Sequence, residues 1–163
     1  MKRVIAILLL TNFVSCSNPN RVKTGLEGKP LPIFNLLLSD STTRLNTSRI
    51  PVGQPIVLFY FNPYCPYSKA EIADIVANMA IFRDVRFYLL TTAHYPDVMM
   101  FYNEYHLQNY SNVAVGIDYT DFFGKYFTPP GVPFIAVYDE HKHLKEALIG
   151  KMDIATLKSS VAK

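Results

Sequence analysis

The chain has 163 residues, half of them apolar and 18% charged, with a formal net charge of +3. That length points to a single domain with enough apolar residues to bury a core. No block of like charge is present, which excludes a disordered charged tail and a nucleic-acid binder.

The first residues differ from the rest. Lys2 and Arg3 form a positive start, Val4 to Leu10 is an unbroken apolar run, and small or polar residues follow. This is the layout of a secretory leader, and the run is too short to span a bilayer as a helix. Phe13-Val14-Ser15-Cys16 resembles the lipobox of bacterial lipoproteins, although Phe13 stands where Leu is usual. The resemblance implies cleavage before Cys16 and a diacylglyceryl group on its sulfur; cleavage elsewhere, as in an ordinary secreted protein, is the alternative. The chain then divides into a signal peptide over 1–15, a polar tether over 16–28 and a globular domain over 29–163. With only two cysteines present, acylation of Cys16 leaves Cys65 as the sole free thiol.

Beyond the tether, Pro30 to Leu38 reads as an extended segment. Ser39 to Ser48 is polar and reads as a hairpin or loop. Ile56 to Phe61 is a continuous apolar run of strand length, suited to a central strand covered on both faces. The prolines of Asn62-Pro63-Tyr64-Cys65-Pro66 end it. From Ser68 the period changes: Ile72, Ile75, Val76 and Met79 share one helix face, with Lys69, Glu71, Asp74 and Asn78 on others. Pro66 suits the first helical turn, where its missing amide is not needed. Val85 to Leu90 is the next strand, completing a parallel βαβ unit. A second helix covers Pro96 to about Leu107, followed by a strand over Val113 to Ile117 and a short helix over Asp121 to Phe127. Phe134 to Tyr138 and Leu144 to Ile149 flank a polar turn as an antiparallel hairpin. Asp153 is a suitable N-cap for a last helix that buries Ile154, Leu157 and Val161.

Two distant motifs stand in register with this order of elements. Phe59-Tyr60-Phe61-Asn62-Pro63-Tyr64-Cys65-Pro66-Tyr67-Ser68-Lys69-Ala70-Glu71 resembles the active-site stretch of the TlpA-like thiol–disulfide oxidoreductases of bacterial envelopes. Gly131-Val132-Pro133-Phe134-Ile135-Ala136-Val137-Tyr138-Asp139 resembles that family's cis-proline strand, and Gly150 fits the glycine that closes the next strand. The resemblance runs from Gly28 to the C-terminus. It implies an α/β thioredoxin-like fold with a central mixed sheet of four to five strands flanked by helices. It also implies a nucleophile at Cys65, with Val132 and Pro133 facing it where an extended substrate would lie; Tyr64, clustered with Tyr60 and Tyr67 around the thiol, either lines that groove or packs as a core aromatic. Ser68 replaces the second cysteine of the family's Cys-x-x-Cys turn. Tyr64 replaces thioredoxin's tryptophan, and Phe59 occupies the place of thioredoxin's buried acid.

A cysteine at a helix N-terminus faces unpaired amides and the positive end of the macrodipole, which favour the nucleophilic thiolate. Serine cannot resolve a mixed disulfide, so no disulfide can close within this site. Ser68 is left either to hydrogen-bond the Cys65 sulfur or to cap the helix. Three readings follow. One is monothiol exchange through mixed disulfides with envelope proteins or small thiols and disulfides, on a chain held at the membrane by lipidated Cys16. The second is a binding module with a decayed redox site. The third is a one-cysteine peroxidase, disfavoured because Asn62 and Leu58 stand where peroxiredoxins carry Thr or Ser and a proline. No cofactor is implied. His94, His106, His141 and His143 have no pair of thiolates to join in a metal site. The expected location is the bacterial envelope, on the periplasmic or outer-membrane face.

Overall fold

A computed structural model describes residues 20–162. The stretch read as a leader, and Cys16, fall outside that range. The chain forms one eight-stranded sheet. Its strands are β1 (Arg21–Val22), β2 (Asn35–Leu38), β3 (Arg44–Asn46), β4 (Ile56–Tyr60), β5 (Arg86–Thr91), β6 (Val113–Ile117), β7 (Phe134–Tyr138) and β8 (Leu144–Ile149). The helices are α1 (Pro66–Ala77), α2 (Tyr95–Glu104), α3 (Phe122–Phe127) and α4 (Ile154–Val161).

The sheet order is β1-β8-β7-β4-β5-β6-β2-β3. β4, β5 and β6 run parallel, and all other neighbours are antiparallel. The extra strands, relative to the four or five expected, lie mainly at the edges. β3 returns against β2 as a hairpin. β1 lies within the stretch read as tether, yet it pairs with β8 through Arg21–Leu148 and Val22–Ala147. Asn20 reinforces that edge by donating its side-chain amide to the carbonyls of Ile149 and Lys151.

The apolar run of β4 is continuous because both faces of the strand are covered. Side chains alternate along a strand, so Val57 and Phe59 enter one core while Ile56 and Leu58 enter the other. The first core is roofed by Ile72 and Ile75 of α1, Val98 and Phe101 of α2, and Leu157 and Val161 of α4. The second contains Phe123 and Phe127 of α3 with Leu31, Phe34 and Leu36 from the N-terminal segment. Asp153 caps α4, its carboxylate accepting from the Thr156 amide at 2.7 Å.

The turn from β6 into α3 hangs on one buried carboxylate. Asp118 is fully buried. It accepts from the Phe123 amide at 2.8 Å and from the Thr120 hydroxyl at 2.9 Å. Hydrogen bonds to a charged acceptor contribute about 1.5–3 kcal/mol, and losing a buried acceptor strands its donors. Asp118→Ala is therefore expected to destabilise the fold by about 2–3 kcal/mol. A fall in the urea midpoint at unchanged m-value checks this.

Candidate functional site

β4 delivers the chain to the end of the sheet where parallel strands finish. Past Phe61, whose amide still bonds the Leu90 carbonyl at 3.0 Å, a tight turn begins. Asn62 builds it twice over. Its side-chain oxygen accepts from the Tyr64 amide at 2.8 Å, and its carbonyl accepts from the Cys65 amide at 3.0 Å. Cys65 itself is the N-cap of α1, in extended backbone conformation, with its carbonyl accepting from the Lys69 amide at 3.0 Å. Pro66 occupies the first helical position, as its missing donor allows.

Cys65 is a free, half-buried cysteine. Its thiol donates to the Val132 carbonyl at 3.4 Å, a contact across 67 positions of sequence. The Val132–Pro133 peptide bond is cis, and the Pro133 carbonyl accepts from the Gly150 amide at 2.9 Å. Gly150 has φ +75°, a left-handed conformation that suits glycine. The two distant motifs of the sequence thus meet at the sulfur. Tyr64 and Tyr67 flank it, each more than 60% exposed. The Tyr64 hydroxyl donates to Asp97 at 2.5 Å, tying the turn to α2, and this bond raises the phenol's pKa. A Lys69–Glu104 ion pair at 2.9 Å also links α1 to α2.

Ser68 is the third residue of α1 and is completely buried. Its hydroxyl accepts from the Asn62 amide at 3.5 Å, so it braces the turn from below. Phe59 lies wholly within the core, and β4 brings no carboxylate beneath the site. A buried carboxyl is supplied instead by α1. Glu71, expected on an outward face, has no exposed surface. The loop between β8 and α4 closes over it, and the Met152 amide donates to one carboxyl oxygen at 2.9 Å. The other oxygen has no hydrogen-bond partner among the described residues. Burial pushes the Glu71 pKa up to about 7, against smaller lowering effects of the Met152 amide and Lys151. Helical spacing alone did not reveal this, because α1 is buried over an arc wide enough to take in Ser68, Glu71, Ile72 and Ile75.

A half-buried sulfur at a helix N-terminus, in contact with a cis-proline loop at the end of a mixed sheet, decides the architecture. The fold is thioredoxin-like. The chain is similar to DsbF from MTB, with 20% identity and a TM-score of 0.67 over 86% of this chain and 96% of that one. It is similar also to a secreted Mycobacterium tuberculosis disulfide oxidoreductase homologous to E. coli DsbE, with 20% identity and a TM-score of 0.66 over 78% and 93%. StoA from Bacillus subtilis is a further structural neighbour, with 14% identity and a TM-score of 0.60 over 80% and 97%. No family model and no curated protein sequence matches the chain.

Among the described residues, no three His, Cys, Asp or Glu side chains gather as a metal site. No helix there is long and apolar enough to cross a membrane.

Proposed function

We propose that this is a monothiol thioredoxin-like protein of the bacterial envelope, anchored through lipidated Cys16 and exchanging thiols and disulfides through Cys65. The observation that carries the reading is the single half-buried sulfur at the N-cap of α1, set against the cis Val132–Pro133 bond, with a buried hydroxyl at position 68. In the first step the Cys65 thiolate attacks a partner disulfide. The partner's S–S bond breaks, a mixed disulfide forms, and the departing thiolate takes up a proton. Ser68 cannot carry out the second attack, so a low-molecular-weight thiol or another protein thiol supplies the electron pair that frees Cys65. Val132 and Pro133 serve as the backbone rim along which an extended partner segment lies, with Tyr64 beside it.

Reaction of the protein with oxidised glutathione tests this reading. The folded chain is expected to gain one glutathione, detected by mass and reversed by added thiol, and Cys65→Ser is expected to gain none at that position. A Cys65 that reacts no faster folded than in denaturant would defeat the exchange reading. A second reading, a non-enzymatic module that holds an envelope partner in the same groove, draws support from the Cys65 thiol being already bonded to the Val132 carbonyl. Capture of partner by Cys65→Ser as well as by the native chain is its expected signature.

A further inference from the structure

At the opposite end of the sheet from Cys65 lies an open polar cavity of about 320 Å³. The parallel strands β5 and β6 begin there, and Cys65 follows the far end of β4, so the two places are separate. The polar residues that line the cavity are Arg83, Arg86, Tyr88, Gln54, Ser111 and Asn112. Arg86 and Tyr88 share one face of β5 by strand alternation.

The lining is rich in uncommitted donors. The Asn112 amide is used inward, on the carbonyls of Phe82 and Val85. The Arg86 guanidinium is anchored by the Pro51 carbonyl, leaving further N–H groups of its five. The side chains of Arg83, Tyr88, Gln54 and Ser111 make no hydrogen bond or ion pair with any described residue. Among the described residues no carboxylate lines the cavity; Asp84, between the two arginines in sequence, lines a neighbouring one with Lys158. Tyr88 is half-buried, and burial outweighs the nearby Arg86 in raising its pKa, so the phenol stays a donor.

Two guanidiniums, a phenol, a hydroxyl and an amide around a cleft with no anion of its own are the complement of a compact oxyanion. We propose that this cavity binds a phosphate group, either as a free phosphate or monoester or as the headgroup of an anionic lipid. The cavity's volume is at the lower end of the range for ligand sites, about 300–1,000 Å³, which suits a ligand of that size. The site is independent of Cys65 chemistry.

Titration of the ¹⁵N-labelled full chain with inorganic phosphate at low ionic strength tests the proposal. Saturable shifts confined to Gln54 and to residues 83–88 and 111–114 are expected. Arg83→Gln, at an exposed position with no partner to lose among the described residues, is expected to weaken binding about tenfold, the scale of one charge-assisted pair. Arg86→Gln is expected to do at least as much. Acetate, with one charge and two oxygens, is expected to compete poorly. Co-sedimentation with phosphatidylglycerol vesicles separates the sources. Loss of vesicle binding in the Arg83→Gln chain assigns a lipid headgroup, and phosphate binding with vesicle binding unaffected by that substitution assigns a free ligand. Non-saturating shifts spread over the surface, or unchanged phosphate affinity in both arginine variants, overturn the proposal.

Discussion

Ser68→Cys is expected to turn Cys65 from a thiol that needs an outside resolving partner into one that closes on its own chain. Positions 65 and 68 are the N-cap and third residue of one helix. Helical geometry places such Cα atoms roughly 5–6 Å apart, within the range a disulfide spans. Cys65 is half-exposed and position 68 is fully buried, which sorts them into attacking and resolving sulfurs. The local cost is small. Among the described residues the only hydrogen bond lost is the 3.5 Å contact from the Asn62 amide, a long one contributing well below about 1 kcal/mol. With Cys16 changed to Ser, the two chains differ in stoichiometry with an aromatic disulfide reagent. The native site releases one thiolate and keeps the mixed adduct, whereas Ser68→Cys releases a second as the internal disulfide forms. The variant is also expected to gain dithiol-driven reduction of insulin, and the native chain to show none. Release of a single equivalent by the variant means that α1 does not present these two positions to each other, and the thioredoxin-like reading of the site fails with it.

Legibility of this fold in the sequence tracked how each element is stabilised. β6, β7 and β8 have the bounds read from the sequence: β6 and β7 are unbroken apolar runs, and β8, which carries Lys145 and Glu146, is marked by the polar turn that separates it from β7. The run of β4 announced a strand buried on both sides, and the two cores divide its side chains alternately. β1 and β3 carry no such signal. Arg21-Val22 and Arg44-Leu45-Asn46 are short and polar, and they are strands because an existing edge offers them partners. Pairing made by tertiary context leaves no periodic trace in the segment itself.

The site was legible to the extent that its parts are local. The turn, the proline at the helix start and Cys65 lie in one short stretch, and Pro133 was found through its own motif. Their meeting at 3.4 Å required the sheet to bring Val132 across from β7. The Tyr64–Asp97 bond, between a turn and a helix 33 positions later, had no marker in either segment. Glu71 shows the reverse difficulty. A carboxylate in a helix reads as a solvent-facing residue unless the loop that buries it is known, and that loop is 81 positions away.

Glu71 also gives the second large effect, a pH-dependent stability. Its carboxyl titrates near the ordinary value of 4.5 when unfolded and about 7 when folded, chiefly because burial penalises the charged form. The folded state therefore holds this proton more tightly. The stabilisation from protonated Glu71 is complete below about pH 4.5 and is lost as pH rises through about 7. The two values imply a change of about 3 kcal/mol across that window. Glu71→Gln keeps an oxygen for the Met152 amide and has no charge to bury. It is expected to match the native chain near pH 4 and to exceed it in stability by up to about 3 kcal/mol at pH 8. Asp40, Asp153 and Glu27 have lowered pKa values and push the other way as pH falls. They are common to both chains, so the difference between paired urea midpoints isolates Glu71. A difference that stays flat from pH 4 to pH 8 would mean that the carboxyl finds water or a donor for its unpartnered oxygen. The loop from β8 to α4 would then open readily over α1, and the helix that presents Cys65 would be less firmly seated than its burial indicates.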